Sequence, residues 1–342
     1  MNNESSATPE NRMKSNPNRR AILLSTLSTA VMASLAPGVA RAQSEFPNRP
    51  INMVVAFPPG SSTDAVAREL AHAMTPLLGH PIVVSNKGGV GGVIGTDQVA
   101  KAEPDGHTIG YGTSSQLVMN PGVHKTLPFD VEKDLMQIGL VLKVPLVIVA
   151  SNRVPESLKE FVQQAKADPK KYRYGSAGNG SVSHVMTELF LKEAGITVQH
   201  IAYRGAAPAL ADLAGGQVDL VVDTLIATKP FVELGRAHWV GIGGDKRSAS
   251  QPKVPTFAEQ GFRNFDAYSW NSVFAPAGTP APVIERLNAA LNSALKSPGF
   301  QARVAQVGGD ALGGTPAEAE QFAARERGKW IPFIRSSGIV AE

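Results

Sequence analysis

Five short runs rich in glycine, serine and threonine carry what chemistry this sequence offers. They are Phe57-Pro58-Pro59-Gly60-Ser61-Ser62-Thr63-Asp64, Asn86-Lys87-Gly88-Gly89-Val90-Gly91-Gly92, Gly112-Thr113-Ser114-Ser115, Ser176-Ala177-Gly178-Asn179-Gly180-Ser181 and Tyr203-Arg204-Gly205-Ala206. Each follows a strand-like run and precedes a helical one. Glycine lets a backbone approach a ligand closely, and serine and threonine add hydroxyl donors. A helix that starts just after such a loop leaves free N–H groups and the positive end of its dipole at the loop. That arrangement binds an anionic group without a fixed cation.

Each feature also has a plainer reading. Pro-Pro-Gly and Gly-Gly are ordinary turn formers, and Ser or Asp at a helix start is often only a cap. Asp64 and Asp223 both stand where a helix cap is expected, although Asp223 also ends the apolar run Leu220-Val221-Val222. His184 falls in the first turn of a helix, where it could pack, cap or face a pocket. Arg204 could be a solvated cation, and Trp270 reads as core.

Motifs of covalent and phosphate chemistry are missing. No G-x-S-x-G, G-x-G-x-x-G or G-x-x-x-x-G-K-[ST] occurs, and the seven histidines have no zinc-ligand spacing. Neither a cofactor nor a metal is implied. The chain has no cysteine, which excludes disulfides and thiolate chemistry and leaves stability to a packed core.

The elements that must position these loops follow from periodicity. Strand-like runs are Ile51–Phe57, Ile82–Asn86, Thr108–Tyr111, Leu146–Ala150, Tyr172–Ser176, Gln199–Ala202, Leu220–Val222 and Trp239–Ile242. Helical faces lie between several of them: Val66, Leu70, Met74 and Leu77; Leu158, Phe161, Val162 and Ala165; Val185, Met186, Leu189 and Phe190; and Ala206 towards Gly215. Strands alternating with helices argue for an α/β fold of βαβ units on parallel sheets, with ligands at the carboxyl ends of the strands. The last seventy residues read as mainly helical, at Pro282–Lys296, Gly299–Val307 and Pro316–Arg335.

The first forty residues read as an address. Arg12, Lys14, Arg19 and Arg20 precede an apolar run from Ala21 to Leu35, and Ala40-Arg41-Ala42 supplies a small-x-small cleavage pattern. This order marks a removed signal peptide over residues 1–42, exported by the general or the twin-arginine route. The leader holds five of the 33 Lys/Arg and two of the 29 Asp/Glu, so the remainder is close to neutral. No basic run remains, which argues against a nucleic-acid partner. With no cysteine to carry lipid, the mature protein is expected to be free in the periplasm.

About 300 residues exceed what one core usually organises, so two domains are expected. Crossings near Lys143-Val144-Pro145 and Asp266–Ser269 would make the first domain discontinuous, 43–144 plus 268–342, around a second at 145–267.

At these loops the sequence resembles the Bug-type (TctC-like) extracytoplasmic solute receptors of tripartite tricarboxylate transporters. The resemblance runs from Phe46-Pro47-Asn48-Arg49-Pro50 to the C-terminal helix. It is carried by Val55-Ala56-Phe57-Pro58-Pro59-Gly60, Ser62-Thr63-Asp64, Lys101-Ala102-Glu103-Pro104-Asp105-Gly106, Ser176–Ser181, Tyr203-Arg204-Gly205, Pro208–Leu213, Gly215–Asp219, Val254-Pro255-Thr256 and Ala275–Pro280, all in one order. Position 61 is Ser where the family usually has a second Gly, and Lys87-Gly88-Gly89 stands where Arg-Pro-Gly is common.

The resemblance implies a type II-like periplasmic binding protein, two α/β domains closing on a ligand like a Venus flytrap. The ligand would be a small carboxylate, passed to a two-component membrane permease by a monomeric receptor. By the same resemblance Phe57, Pro58, Gly60, Ser61, Thr63 and Asp64 should grip from the first domain. Ala177, Gly178, Asn179, Gly180 and Ser181, with His184 behind them, should grip from the second. Ser114, Ser115, Tyr203, Gly205 and Asp223 would complete the wall. Two other classes remain open: an exported enzyme using Asp64, His184 or Asp223 as general base, and a sensory ligand-binding subunit.

Overall fold

A computed structural model describes residues 46–340 except 249 and 264; the expected leader and its cleavage site lie outside the described residues. Two sets of parallel strands are built as the alternating pattern requires. In the first set β1 (Ile51–Val55) lies between β2 (Ile82–Asn86) and β3 (Thr108–Thr113), parallel to both. In the second, β5 (Arg173–Ser176) lies between β6 (Gln199–Ala202) and β7 (Leu220–Thr224), again parallel to both.

Two antiparallel strands connect the sets, and their lengths differ from the sequence expectation. Strand β4 runs from Leu135 to Ser151, well beyond the expected Leu146–Ala150. Its first part, Leu135 to Pro145, pairs with β9 (Tyr268–Pro276), a strand absent from the sequence reading. Its second part pairs with β7 from Leu146 to Ala150, and with β8 (Ala237–Ile242) from Val147 to Ser151. Strand β9 in turn pairs with β3, and a short β10 (Asp310–Gly313) adds to β4. The strand path is therefore β2-β1-β3-β9-β4-β7-β5-β6, and the sheets are mixed rather than parallel throughout.

Helices pack on these strands through the stripes that periodicity picks out. Helix α1 (Ser62–Leu78) buries Val66, Ala67, Leu70, Ala71, Met74 and Leu78. Leu77 is exposed, so the stripe continues from Met74 to Leu78, four residues on. Ser61 caps the helix by accepting from the Asp64 N–H, and Gly79 ends it at φ 75°, a left-handed value that glycine takes freely. Full burial of Leu70 and Met74 contributes about 2 kcal/mol each. Helix α2 (Val93–Ala100) follows the Gly88–Gly92 loop, and α3 (Asn120–Val123) is a single turn.

In the second set, α4 (Leu158–Ala167), α5 (Val182–Ala194), α6 (Ala206–Ala214) and α7 (Leu225–Glu233) follow in order. The chain then returns through α8 (Ala281–Ala294), α9 (Pro298–Val307) and α10 (Pro316–Ser336). Thr315 and Glu318 form a reciprocal capping box at the start of α10. Trp270 is fully buried, as its apolar bulk requires. Among the described residues no helix is long and apolar enough to cross a membrane.

Candidate functional site

Where β4 passes from one strand set to the other, it forms the floor of a cleft of about 370 Å³. Leu142, Val144 and Leu146 of β4, Ser269 and Asn271 of β9 and Val222 of β7 line the cavity. Leu142, Val144, Leu146 and Val222 make much of that side apolar, and Ser269 and Asn271 add polar groups to it. The other polar groups come mainly from the loops, because each parallel strand that ends here is followed by a helix.

Four helices begin at this cavity. Ser62 and Thr63 open α1, Val182 and Ser183 open α5, Ala206 and Ala207 open α6, and Thr224 caps α7; all line it. In three of the four, one first-turn N–H is taken by the cap side chain: Asp64 N–H by Ser61, His184 N–H by Ser181 and Ala227 N–H by Thr224. Helix α6 has no side-chain cap and starts from Gly205. The remaining first-turn donors have no intrahelical carbonyl to meet. Four positive dipole ends therefore surround one cavity that also carries the hydroxyls of Ser61, Thr63, Ser115, Ser181 and Ser183. The arrangement suits an anion that accepts several hydrogen bonds at once.

Of the residues singled out in the sequence, Phe57, Pro58, Gly60, Ser61, Thr63, Ser115, Ala177, Ser181 and Asp223 line this cleft together. The others stand behind the wall and hold it. Asp64 is buried and accepts from the Gly60 N–H at 2.9 Å, Arg68 Nε at 3.0 Å and Asn86 Nδ2 at 2.8 Å. Burial alone would raise its carboxyl. The hydrogen bonds from Arg68, Gly60 and Asn86, with the Arg68 charge, hold it below its ordinary value. Asn86 also donates to the Phe57 carbonyl at 3.0 Å, so this network shapes the first loop.

His184 is likewise structural in its contacts. Its Nδ1 accepts from the Gly180 N–H at 3.2 Å, and its ring stacks on His200 with centroids 4.2 Å apart. Burial, reinforced by His200, pushes its pKa down to about 3, so the ring is neutral at any physiological pH. Tyr203 donates to Asp212 at 2.7 Å, and Ser114 shares a 3.2 Å hydrogen bond with Ser269.

Gly178, Asn179, Gly180 and Gly205 are spent on contact between the two strand sets. A Cβ on Gly91 would meet the Asn179 carbonyl at 2.5 Å, and one on Gly205 would meet Pro58 at 3.0 Å. A Cβ on Gly178 would lie 3.3 Å from the Gly91 nitrogen, and Gly180 faces Asn120 and His124. Across the same junction the Val182 N–H donates to Ser115 Oγ at 2.8 Å. The glycine loops thus touch each other above the cavity, and the serine-bearing ends of the loops face into it.

Sequence reasoning missed part of the wall. Ser269 and Asn271 lie on β9, which has buried residues on both faces and so shows no alternation. Thr113 belongs to the loop at 112–115, and Ser183 follows Ser181 in the first turn of α5; both line the cavity. Ile226 and Phe231 of α7, and Arg303 and Val307 of α9, come from helix faces that give no local signal of a pocket.

Two charged groups border the cleft. Asp223 accepts from the Thr224 N–H at 2.6 Å and its hydroxyl at 3.3 Å. Burial nevertheless raises its pKa to about 6, the Thr224 hydrogen bonds offsetting only part of the effect. Arg303 is the cation on the lining. Among the described residues no group of three His, Cys, Asp or Glu side chains is placed to hold a metal ion.

The chain matches the model of the tripartite tricarboxylate transporter family receptor over residues 66–339. It is 37% identical over 295 residues to the protein BugT of Bordetella pertussis, covering 86% of this chain and 90% of that one. Among solved structures it is similar to the periplasmic binding protein BugD, with a TM-score of 0.82 and 35% identity over 87% of this chain and 100% of that one. It is also similar to MatC from Rhodopseudomonas palustris with bound malate, with a TM-score of 0.80 and 30% identity over 84% and 100%.

Proposed function

The chain belongs to the tripartite tricarboxylate transporter family of receptors, and from that membership we propose that it captures a small carboxylate between two closing lobes. Its fold is the α/β fold of periplasmic binding proteins. The observation that carries the proposal is the convergence of four helix N-termini and a set of serine and threonine hydroxyls on one cavity beneath the junction of the two strand sets. A carboxylate offers two oxygens to such donors and brings the charge that the dipoles favour. The bound malate of one structural neighbour agrees in chemical type.

The lobes in this proposal are residues 43–144 with 268–342, and residues 145–267. The pairing change on β4 supports that division: Pro145 still faces Tyr268, whereas Leu146 faces Thr224. Bending at Pro145–Leu146 and Ala267–Tyr268 would open the cleft and separate Gly91 from Asn179. Ligand would then favour the closed state through contacts that exist only when both lobes meet it.

The receptor is proposed to be exported by its leader, to act as a monomer in the periplasm, and to deliver its ligand to a two-component permease. It is proposed to return the ligand unchanged. Two of the three residues that could have served as a general base, Asp64 and His184, are committed to holding the loops.

The test is a thermal-shift screen of the protein from Gln43 onward against mono-, di-, tri- and aromatic carboxylates. A saturable rise in Tm for one subset is expected, because a ligand that binds only the folded state stabilises it. No shift with any acid would overturn the carboxylate reading.

A further inference from the structure

Among the described residues, Arg303 is the one lining residue that brings a full positive charge to the cleft. It lies in the middle of α9, a helix that packs on α1 and α7. One guanidinium nitrogen, Nη1, donates to Gln306 at 2.8 Å. Its Nε is buried and has no hydrogen-bond partner. No carboxylate of the described residues lies within ion-pair distance of it. A buried donor on a cation is costly to leave unpaired, and a guanidinium matches a carboxylate in two-point fashion.

The groups that share the cavity with Arg303 divide its chemistry. The helix N-termini, the hydroxyls, Asn271 and Asp223 supply its other polar groups. Leu142, Val144, Ile226, Phe231 and Val307 give the lining a largely apolar character. A monocarboxylate held by the helix N-termini would leave Arg303 unpaired. We propose that Arg303 is the specificity determinant of this receptor: it takes the second carboxylate of a linear α,ω-dicarboxylate whose methylene chain lies on the apolar lining. The inference rests on the carboxylate reading of the same cleft.

The discriminating experiment is isothermal titration of purified protein with linear dicarboxylates from succinate to suberate, and with monocarboxylates of equal length. Wild type is expected to bind at least one diacid about tenfold or more tighter than its monoacid partner. Arg303→Met is expected to lose that preference, weakening the diacid about 10- to 100-fold and leaving the monoacid within about threefold. Arg303→Lys, which keeps the charge without the fork, should recover part of the loss. Unchanged thermal unfolding of both variants would show that the loss is local.

A diacid preference that survives in Arg303→Met would overturn the assignment of Arg303, and so would wild-type binding of monoacids as tightly as diacids. Either result leaves the carboxylate receptor standing. Binding of neither series to wild type would overturn both readings together.

Discussion

Replacing Gly91 with Ala tests closure at the place where the strand sets touch. Gly91 has φ 60°, and a Cβ there would stand 2.5 Å from the Asn179 carbonyl oxygen and 3.2 Å from the Ser181 nitrogen. The first distance is shorter than real Cβ contacts, and the opposing atom is backbone, so one loop must move. Alanine in the left-handed region also costs about 1–2 kcal/mol. That strain is present whether the cleft is open or closed, so it lowers stability and cancels in the affinity. The steric contact exists only when the sets meet. Overpacking of this kind costs about 1–3 kcal/mol, which corresponds to a Kd about 5- to 150-fold weaker.

Gly235→Ala separates the two effects, because Gly235 has φ 65° and no heavy atom within 4 Å of the added Cβ. Titration with whichever carboxylate raises the Tm, alongside small-angle scattering, gives the readout. Expected are a weaker and more open Gly91→Ala, a Gly235→Ala with wild-type affinity, and similar losses of Tm in both. Wild-type affinity in Gly91→Ala would refute closure at this contact, and an equal affinity loss in Gly235→Ala would show that backbone strain alone accounts for it.

The hydroxyls make a second pair of tests. Thr63 lines the cleft at the start of α1, so Thr63→Val should weaken carboxylate binding by about 1–3 kcal/mol with little change in Tm. Ser181 also caps α5 and meets Ser183 at 3.0 Å, so Ser181→Ala should lose affinity and about 1 kcal/mol of stability together. Unchanged affinity in both variants would place the ligand elsewhere. Asp223 supplies a pH test. Its pKa is raised from 3.8 to about 6, so the folded state holds the proton more tightly than the unfolded one. Its contribution to stability is present at low pH and is lost as pH rises from about 4 to about 6. Above pH 6 the ionised carboxylate opposes an anionic ligand, so Asp223→Asn should bind about tenfold tighter than wild type at pH 7.5 and equally at pH 5. A wild-type-to-variant ratio that does not change with pH would remove Asp223 from the ligand's surroundings.

The parallel strands were legible because each is short, apolar and bounded by glycine. Ile51–Val55, Thr108–Thr113 and Leu220–Thr224 carry their own punctuation. The connecting strands were not. The first part of β4 contains Gly139, Lys143 and Pro145, which break an apolar pattern, yet it is held by β9 and β10 on either side. Strand β9 has Ser269, Asn271 and Ser272 among its buried residues, so neither alternation nor an unbroken apolar run marks it. Tertiary pairing, not local preference, makes both of them strands. On α1, Leu77 and Leu78 are equivalent by hydrophobicity, and only the packing decides that Leu78 is buried.

The site divides along the same line. A loop that ends a strand and caps a helix announces itself locally, so Ser61, Thr63, Ala177 and Ser181 could be read from their neighbours in the chain. Asp64 and His184 have the chemistry of a site and positions next to it, but Arg68, Asn86, Gly180 and His200 engage them; those partners are 4 to 22 residues away. Arg303 is the opposite case. In sequence it is one cation among 33 Lys and Arg residues on an amphipathic helix. Only the fold brings it to a cavity whose other polar groups lie on distant parts of the chain, from Ser61 to Asn271. A carboxylate grip made of backbone and hydroxyls is a local property that many chains can share. In the proposed receptor, selection among carboxylates depends on the rest of the lining, and Ile226, Phe231, Arg303 and Val307 reach it only through the long-range packing of α7 and α9.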